Sequence, residues 1–102
     1  MASYRLSERA VSDIERIYEH TIVEFGLTQA REYLTGLHQA FELLSANPRK
    51  GYDAGELAQG LRRMPYGSHL VYYAIAGRSL RIVRVLHQSM DARRRLTRRA
   101  RR

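Results

Sequence analysis

The 102 residues of this chain suffice for one domain but not for two of ordinary size. The sequence contains no cysteine, which excludes disulfides and thiolate zinc sites, and no apolar stretch approaches the roughly 18 residues of a membrane span. The net charge of +8 is concentrated at the end, because seven of the 18 basic residues lie in the last ten positions and the remaining 11 are balanced by 10 acidic residues.

This distribution predicts a nearly neutral domain at residues 1–92 and an arginine-rich tail at residues 93–102. The first ten residues carry charges and lack the apolar segment of a signal peptide. The absence of cysteine is typical of proteins in a reducing compartment. We therefore expect a cytoplasmic protein that does not enter a membrane.

The N-terminal part of the chain predicts a strand followed by a helix. Residues 3–6 form a candidate strand, and Ser7 can cap the helix that follows. Apolar residues recur in this helix at three- and four-residue steps and predict one buried face, with Asp13 among the polar residues expected to point away from it. Gly26 can adopt the positive φ that ends the helix, and Thr28 can cap the next one.

A second helix with its own apolar stripe completes a predicted helical hairpin. The stripe consists of Ala30, Tyr33, Leu34, Leu37, Phe41 and Leu44. Asn47 and Pro48 stop this helix, and residues 49–60 contain three glycines without a convincing period. A connection of that length in so small a domain is often functional.

After Gly60 the pattern changes to short segments rich in Val, Ile, Leu and Tyr, separated by glycine-containing turns. LRRMPY, HLVYYAIA and LRIVRVLH predict three antiparallel strands joined by hairpins. We therefore predict an α+β fold in which the helical hairpin covers one face of the sheet and the other face stays partly open for a partner or substrate. Tyr72 and Tyr73 are adjacent, so one should enter the helix-covered core and the other should face the open side.

Four stretches of the chain carry a resemblance to a known family. They are YRLSERAVSDIERI, FGLTQAREYLTGLHQAFELLSANP, GLRRMPYGSHLVYY and IVRVLHQSMDARRRL. The most specific parts are residues 66–69 and 84–91, since each combines several uncommon choices in a fixed order. Over nearly its whole length the chain thus resembles ParE toxins of the RelE/ParE type II toxin–antitoxin superfamily.

The resemblance implies a fold and a function. ParE toxins inhibit DNA gyrase, RelE toxins cleave messenger RNA on the ribosome, and both are neutralised by an antitoxin that wraps the toxin and helps to repress their operon. For this chain it implies growth inhibition through gyrase, a role of the plasmid-stabilisation kind and a ParD-like antitoxin partner. Contact with operator DNA would then occur only through the antitoxin, and no cofactor is implied.

A RelE-like nuclease activity remains an alternative that the residues make less favourable. Cleavage through the 2′-hydroxyl needs a general base, a general acid and cations for the developing phosphate charge. The only lysine, Lys50, lies outside the predicted strands. The remaining weak candidates are His87, Arg84, Arg63 and Tyr73.

His87 is the one candidate acid–base group in a RelE-like position, and we favour a role as a turn residue that hydrogen-bonds the backbone beside Met90. We therefore expect a non-enzymatic gyrase inhibitor, with a ribosome-dependent endonuclease and an inactive relative that only binds antitoxin as alternatives. His20 and His38 have only Glu24 and Glu42 at helical spacing, so we expect no metal site.

Two groups of residues are the candidate binding sites implied by the resemblance and by charge. The proposed antitoxin contacts are Tyr18, Tyr33, Leu37, Phe41, Arg62 and Arg63. The proposed toxicity and target-binding residues are Met90, Asp91, Arg93, Arg94 and Arg95. Asp91 can cap a short helix with Leu96 as its one large apolar anchor. We expect the helices and sheet to tolerate truncation of the chain after Leu96 or after Met90.

Overall fold

The computed structural model describes residues 3–97, which form three helices and one five-stranded mixed sheet. In chain order the elements are β1 (Tyr4–Leu6), α1 (Glu8–Phe25), α2 (Leu27–Ala46), β2 (Tyr52–Asp53), β3 (Leu61–Tyr66), β4 (His69–Ala76), β5 (Ser79–His87) and α3 (Ala92–Thr97). The sheet order is β1-β5-β4-β3-β2, with β1 parallel to β5 and the other neighbours antiparallel. The predicted α+β architecture is confirmed. No helix within residues 3–97 is both long and apolar enough to cross a bilayer.

The limits of the helical hairpin follow mostly from local chemistry. The Ser7 hydroxyl accepts a hydrogen bond from the Ala10 amide at 3.0 Å, which confirms the predicted cap of α1. Gly26 has a φ of 93° and ends α1, as predicted. The prediction that Thr28 caps α2 is wrong, because α2 begins at Leu27 and Gly26 serves as the end of one helix and the start of the next.

The main core lies between the helical hairpin and the sheet. Its buried members are Ala10, Ile14, Leu37, Phe41, Leu44, Val71, Tyr73, Leu80, Ile82 and Val85. Leu37 and Phe41 have no exposed surface, so neither can contact an antitoxin without opening the core. Their predicted role as antitoxin contacts is therefore wrong. Both side chains belong to the core, because the apolar face of α2 packs against the sheet.

A second apolar cluster covers the opposite face of the sheet, which was expected to stay partly open. Its buried members are Ala54, Leu61, Tyr72 and Leu86, and further half-buried residues pack against them. Ala54 lies in the connection between α2 and β3, which also forms the short strand β2 against β3. The connection that lacked a period is thus a cover for the sheet, and Tyr72 is buried beneath it.

The start of the basic tail is also part of this cover. Ala92 and Leu96 of α3 pack against the second cluster, and the Asp91 carboxylate accepts the Arg94 amide at 3.4 Å as a helix cap. The helix crosses the predicted boundary between residues 92 and 93, while residues 98–102 lie outside the described part of the chain. The contacts of Ala92 and Leu96 argue against the expectation that the fold tolerates removal of the whole segment, which stays a prediction.

Asp13 was expected to point away from the buried face of α1, and the structure buries it. Its carboxylate receives two hydrogen bonds of 2.8 Å from the Arg84 guanidinium and one of 2.9 Å from the Val85 amide. Asp13 and Arg84 are each only 5% exposed. The mutual neutralisation of these two groups is what makes their burial tolerable.

The pair lies where β5 has lost its neighbour on the β1 side, while β4 still pairs with the other side. β1 pairs with β5 only as far as Leu6 opposite Ile82, after which the chain turns into α1. The Ser7 hydroxyl donates to the Val83 carbonyl at 2.8 Å, and Asp13 accepts the Val85 amide. The first turns of α1 therefore satisfy backbone groups of β5 that a longer β1 would have satisfied.

We predict that removal of one partner of this pair destabilises the protein severely. Asp13→Ala leaves the Arg84 guanidinium buried without its counter-charge, which should lower the free energy of unfolding by about 3–5 kcal/mol. Arg16→Ala is the matched control, because its side chain is 69% exposed and lies 3.5 Å from the same carboxylate. The control should cost at most about 1 kcal/mol. Urea unfolding of both variants measures the difference, and equal costs would contradict the prediction.

Candidate functional site

An open groove of about 650 Å³ lies between α1, one end of the sheet and α3. It is lined by Asp13, Arg16, Ile17, His20, Thr21, Glu24, Phe25, Ser68, His69, Arg84, Val85, Leu86, His87, Ser89, Met90 and Arg95. The groove exists because only the N-terminal half of α1 has buried side chains, at Ala10, Asp13 and Ile14. The remaining turns of α1 carry half-buried and exposed side chains and line one side of the groove.

The groove exposes two large apolar side chains from opposite walls. Phe25 of α1 is 63% exposed, and Met90 of the turn after β5 is 41% exposed. Ile17 and Leu86 add an apolar floor between them. Exposed apolar groups gathered in a concave surface are a common feature of protein-binding sites.

The charged residues of the groove give it a positive character. Asp13 and Arg84 neutralise each other, which leaves the exposed side chains of Arg16 and Arg95 against Glu24. Three histidines can add to this charge when they are protonated. The lining therefore favours an apolar segment that also carries carboxylates.

The three histidines come from three different elements. They are His20 of α1, His69 at the start of β4 and His87 at the end of β5. The rings of His69 and His87 are 5.4 Å apart between centroids and nearly perpendicular. No group of His, Asp or Glu side chains in the described part of the chain has the arrangement that a metal ion requires.

His69 is held in place by Tyr33 of α2. The Tyr33 hydroxyl lies 2.7 Å from His69 Nδ1 and 3.1 Å from the Tyr66 carbonyl oxygen. A single hydroxyl proton can serve only one of these groups, so both contacts are satisfied when Tyr33 donates to the carbonyl and Nδ1–H donates to Tyr33. Burial lowers the pKa of His69, and the neighbouring His87 and His20 lower it further, while Asp13 acts in the opposite direction.

His87 has the local role that we favoured. Its Nδ1 accepts the Ser89 amide at 3.1 Å and contacts the Ser89 hydroxyl at 2.8 Å. Its carbonyl oxygen accepts the Met90 amide at 2.9 Å. The imidazole thus closes the turn that leads from β5 to α3.

The four weak nuclease candidates are not brought together. Tyr73 is fully buried in the helix-covered core, where its hydroxyl donates to the Pro48 carbonyl and accepts the Gly51 amide. Arg84 is committed to Asp13, and Arg63 lies 3.8 Å from Glu56. Of the four, Arg84 and His87 line the groove.

The six proposed antitoxin residues do not line the groove. Tyr18 is half-buried on α1, and Tyr33 is used in the contacts with Tyr66 and His69. Arg62 donates to the Arg49 and Gly51 carbonyl oxygens and so holds the connection that precedes β3. The other three are Leu37 and Phe41, which are fully buried in the core, and Arg63, which is half-buried.

The proposed toxicity residues do lie next to one another at one edge of the groove. Met90 and Arg95 line it, Asp91 caps α3, and Arg93 and Arg94 are exposed on the same short helix. Sequence reasoning missed Phe25 and the meeting of the three histidines. The available signal for Phe25 was its position at the end of an apolar stripe longer than a short sheet can cover. No pattern in the sequence joins histidines so far apart.

We predict that His69 makes the protein less stable in mild acid. Because its folded-state pKa lies below the unfolded value of about 6.5, the unfolded chain binds more protons in that range, so stability falls as pH falls. His69→Gln should make the free energy of unfolding less dependent on pH between about 7 and 5. Ser68→Ala, a groove neighbour that does not titrate, should keep the original slope. Denaturant unfolding at several pH values measures it, and an unchanged slope in His69→Gln would contradict this assignment.

Comparison with known proteins connects this architecture to a family. A family model described as "ParE toxin of type II toxin-antitoxin system, parDE" matches residues 4–92. Toxin ParE1 of Caulobacter vibrioides is 40% identical over 93 residues, covering 91% of this chain and 96% of that toxin. Toxin ParE1 of Mycobacterium tuberculosis is 39% identical over 94 residues, with coverage of 91% and 96%.

Solved structures agree at the level of the fold. A chain described as "Chromosomal ParDE TA system from P. aeruginosa" superposes with a TM-score of 0.72 at 19% identity, covering 85% of this chain and 96% of that chain. The family match and the identity to the two toxins extend over most of the sequence and confirm the resemblance found in the four stretches. This chain therefore belongs to the ParE toxin family of type II toxin–antitoxin systems.

Proposed function

We propose that this chain is a toxin that inhibits DNA gyrase and is neutralised by a ParD-like antitoxin bound in the groove. The observation that carries the proposal is the groove itself, which exposes Phe25 and Met90 beside Arg16 and Arg95 on a protein of the ParE family. A gyrase target implies a cytoplasmic location. Contact with operator DNA would then occur through the antitoxin.

The chemistry of the groove supports an amphipathic segment as the neutralising partner. Apolar side chains of the segment would pack on Phe25, Met90 and the floor between them, while its carboxylates would pair with Arg16 and Arg95. The related Pseudomonas structure is described as a ParDE system, which supports an antitoxin as the source of that segment. The antitoxin contacts proposed here lie on the C-terminal half of α1, whereas the sequence analysis placed several of them on the face of α2 that the structure buries.

The proposed target rests on the family and on the state of the nuclease candidates. Tyr73 and Arg84 are buried and hydrogen-bonded within the fold, so neither is available to an RNA phosphate in this structure. The segment implied by the resemblance instead carries exposed cations, because Arg93 and Arg94 of α3 both have exposed side chains. Guanidinium groups presented in this way suit contact with a polyanionic complex of enzyme and DNA.

We predict that Phe25→Ser weakens antitoxin binding by at least about tenfold, since full burial of a Phe side chain is worth about 1.5–3 kcal/mol and about 1.4 kcal/mol is a factor of ten. Val23→Ser is the matched control, because Val23 is 81% exposed on the same helix but does not line the groove. The control should bind as tightly as the unchanged chain, and both variants should unfold at similar denaturant concentrations. Titration calorimetry with purified ParD-like antitoxin measures the affinities. If both changes weaken binding equally, or if neither change weakens it, the groove is not the antitoxin-binding site.

We predict that charge reversal on α3 reduces gyrase inhibition without unfolding the protein. The double variant Arg93→Glu/Arg94→Glu keeps Ala92 and Leu96 in place and should raise the concentration for half-inhibition of supercoiling by at least about tenfold. Arg78→Glu/Arg81→Glu changes the net charge equally at exposed positions outside α3 and should retain most of the activity.

Growth after induction, with and without the antitoxin gene, provides the parallel test in cells. Arrest that the antitoxin reverses, with supercoiling inhibited in vitro, is the expected result. Codon-specific messenger cleavage that disappears in His87→Ala would replace gyrase with the ribosome as the target. Normal growth with folded chain present would leave antitoxin binding as the surviving activity.

A further inference from the structure

The Arg84 guanidinium connects three elements of the fold. Its Nε and Nη2 donate to the Asp13 carboxylate of α1 at 2.8 Å each. Its Nη1 donates to the Arg95 carbonyl oxygen of α3 at 3.2 Å. Because Arg84 itself lies on β5 and is 5% exposed, this one side chain fixes α3 relative to both α1 and the sheet.

This arrangement requires the planar guanidinium. Two nitrogens face the carboxylate in bidentate fashion while the third is directed at a carbonyl on another element. A lysine ammonium could retain an ion pair with Asp13, but it lacks the rigid spacing needed to reach both groups at once. Replacement of Arg84 by lysine should therefore keep the ion pair with Asp13 and remove the hydrogen bond to the Arg95 carbonyl of α3.

The short helix depends on such a contact for its placement. The helix α3 has only six residues, too few to be stable from its own hydrogen bonds. It is also held by the Asp91 cap at 3.4 Å and by the packing of Ala92 and Leu96 on the second cluster. The bond to the Arg95 carbonyl fixes its C-terminal end, next to the exposed arginines.

We propose that Arg84 is a positioning residue for toxicity, which holds α3 in the orientation that presents its arginines to the target. The inference rests on the proposed function in one respect, namely that α3 carries the contact with the target. It goes beyond it by assigning the placement of α3 to a buried side chain that is hydrogen-bonded within the fold and is not itself the contact with the target. If α3 is docked for only a tenth of the time, inhibition should fall about tenfold.

The test uses the full-length chain with two changes at Arg84. Arg84→Lys keeps the charge pair and should release α3. Asp13→Asn/Arg84→Met removes both charges while the Asn oxygen can still accept the Val85 amide, so this variant keeps the test valid if Arg84→Lys does not fold. Arg81→Lys, an exposed arginine on the same strand, is the matched control.

Two measurements separate positioning from general stability. The chain has no cysteine, so a single Arg94→Cys change allows a spin label on α3, and Arg78→Cys provides a reference label in the β4–β5 turn. In both Arg84 variants the label on α3 should become mobile while the reference label keeps its spectrum. The same variants without labels should need about tenfold more protein to inhibit supercoiling or growth, whereas Arg81→Lys should not.

Each outcome decides the proposal. Loss of inhibition together with a mobile α3 and an unchanged reference label supports it. An immobile α3 label in the folded Arg84 variants overturns it, and so does a mobile α3 with full inhibition. In the latter case, loss of inhibition in Arg93→Glu/Arg94→Glu would leave the proposed function standing. Full inhibition in that charge-reversal variant would instead remove α3 as the target contact.

Discussion

The ion pair between Asp13 and Arg84 is the interaction on which the arrangement of the other elements depends. It ties α1 to β5 where β1 has ended, and through the Arg95 carbonyl it reaches α3. A buried pair of this kind is a weak source of net stability, because desolvation offsets much of the attraction. The pair does, however, fix the position of α1 on β5. Any other register of α1 would leave both charges and the Val85 amide without partners.

The groove is a consequence of that placement. With its N-terminal half fixed to β5, α1 lines the groove with side chains of its remaining turns, including Phe25, and the turn after β5 contributes Met90. The Arg84 side chain positions α1 through Asp13 on one side of the groove and α3 through the Arg95 carbonyl on another. Met90 and Arg95 border both the proposed antitoxin site and the proposed target segment. An antitoxin in the groove would therefore lie against the element proposed to act on gyrase, which gives neutralisation by direct cover a structural basis.

Most of the fold could be predicted because its signals are local. The Ser7 cap, the helix end at Gly26 and the three strands after Gly60 each depend on residues within a few positions of one another. The candidate site was predicted in part. Met90, Asp91, Arg93, Arg94 and Arg95 were chosen by charge and by resemblance, and two of them, Met90 and Arg95, line the groove. Leu37 and Phe41 were chosen by periodicity, which marks a buried face without saying what buries it.

The sequence by itself determined the elements other than β2, their order, the family and the concentration of charge at the C-terminal end, since these depend on composition and on short-range patterns. Only the tertiary structure decided that Asp13 is buried, because its partner lies 71 positions away and nothing near it in sequence marks a buried acid. The closing of the second sheet face and the meeting of His20, His69 and His87 were decided in the same way. Each depends on which distant segments the sheet order β1-β5-β4-β3-β2 brings together, and that information appears only once the strands are paired.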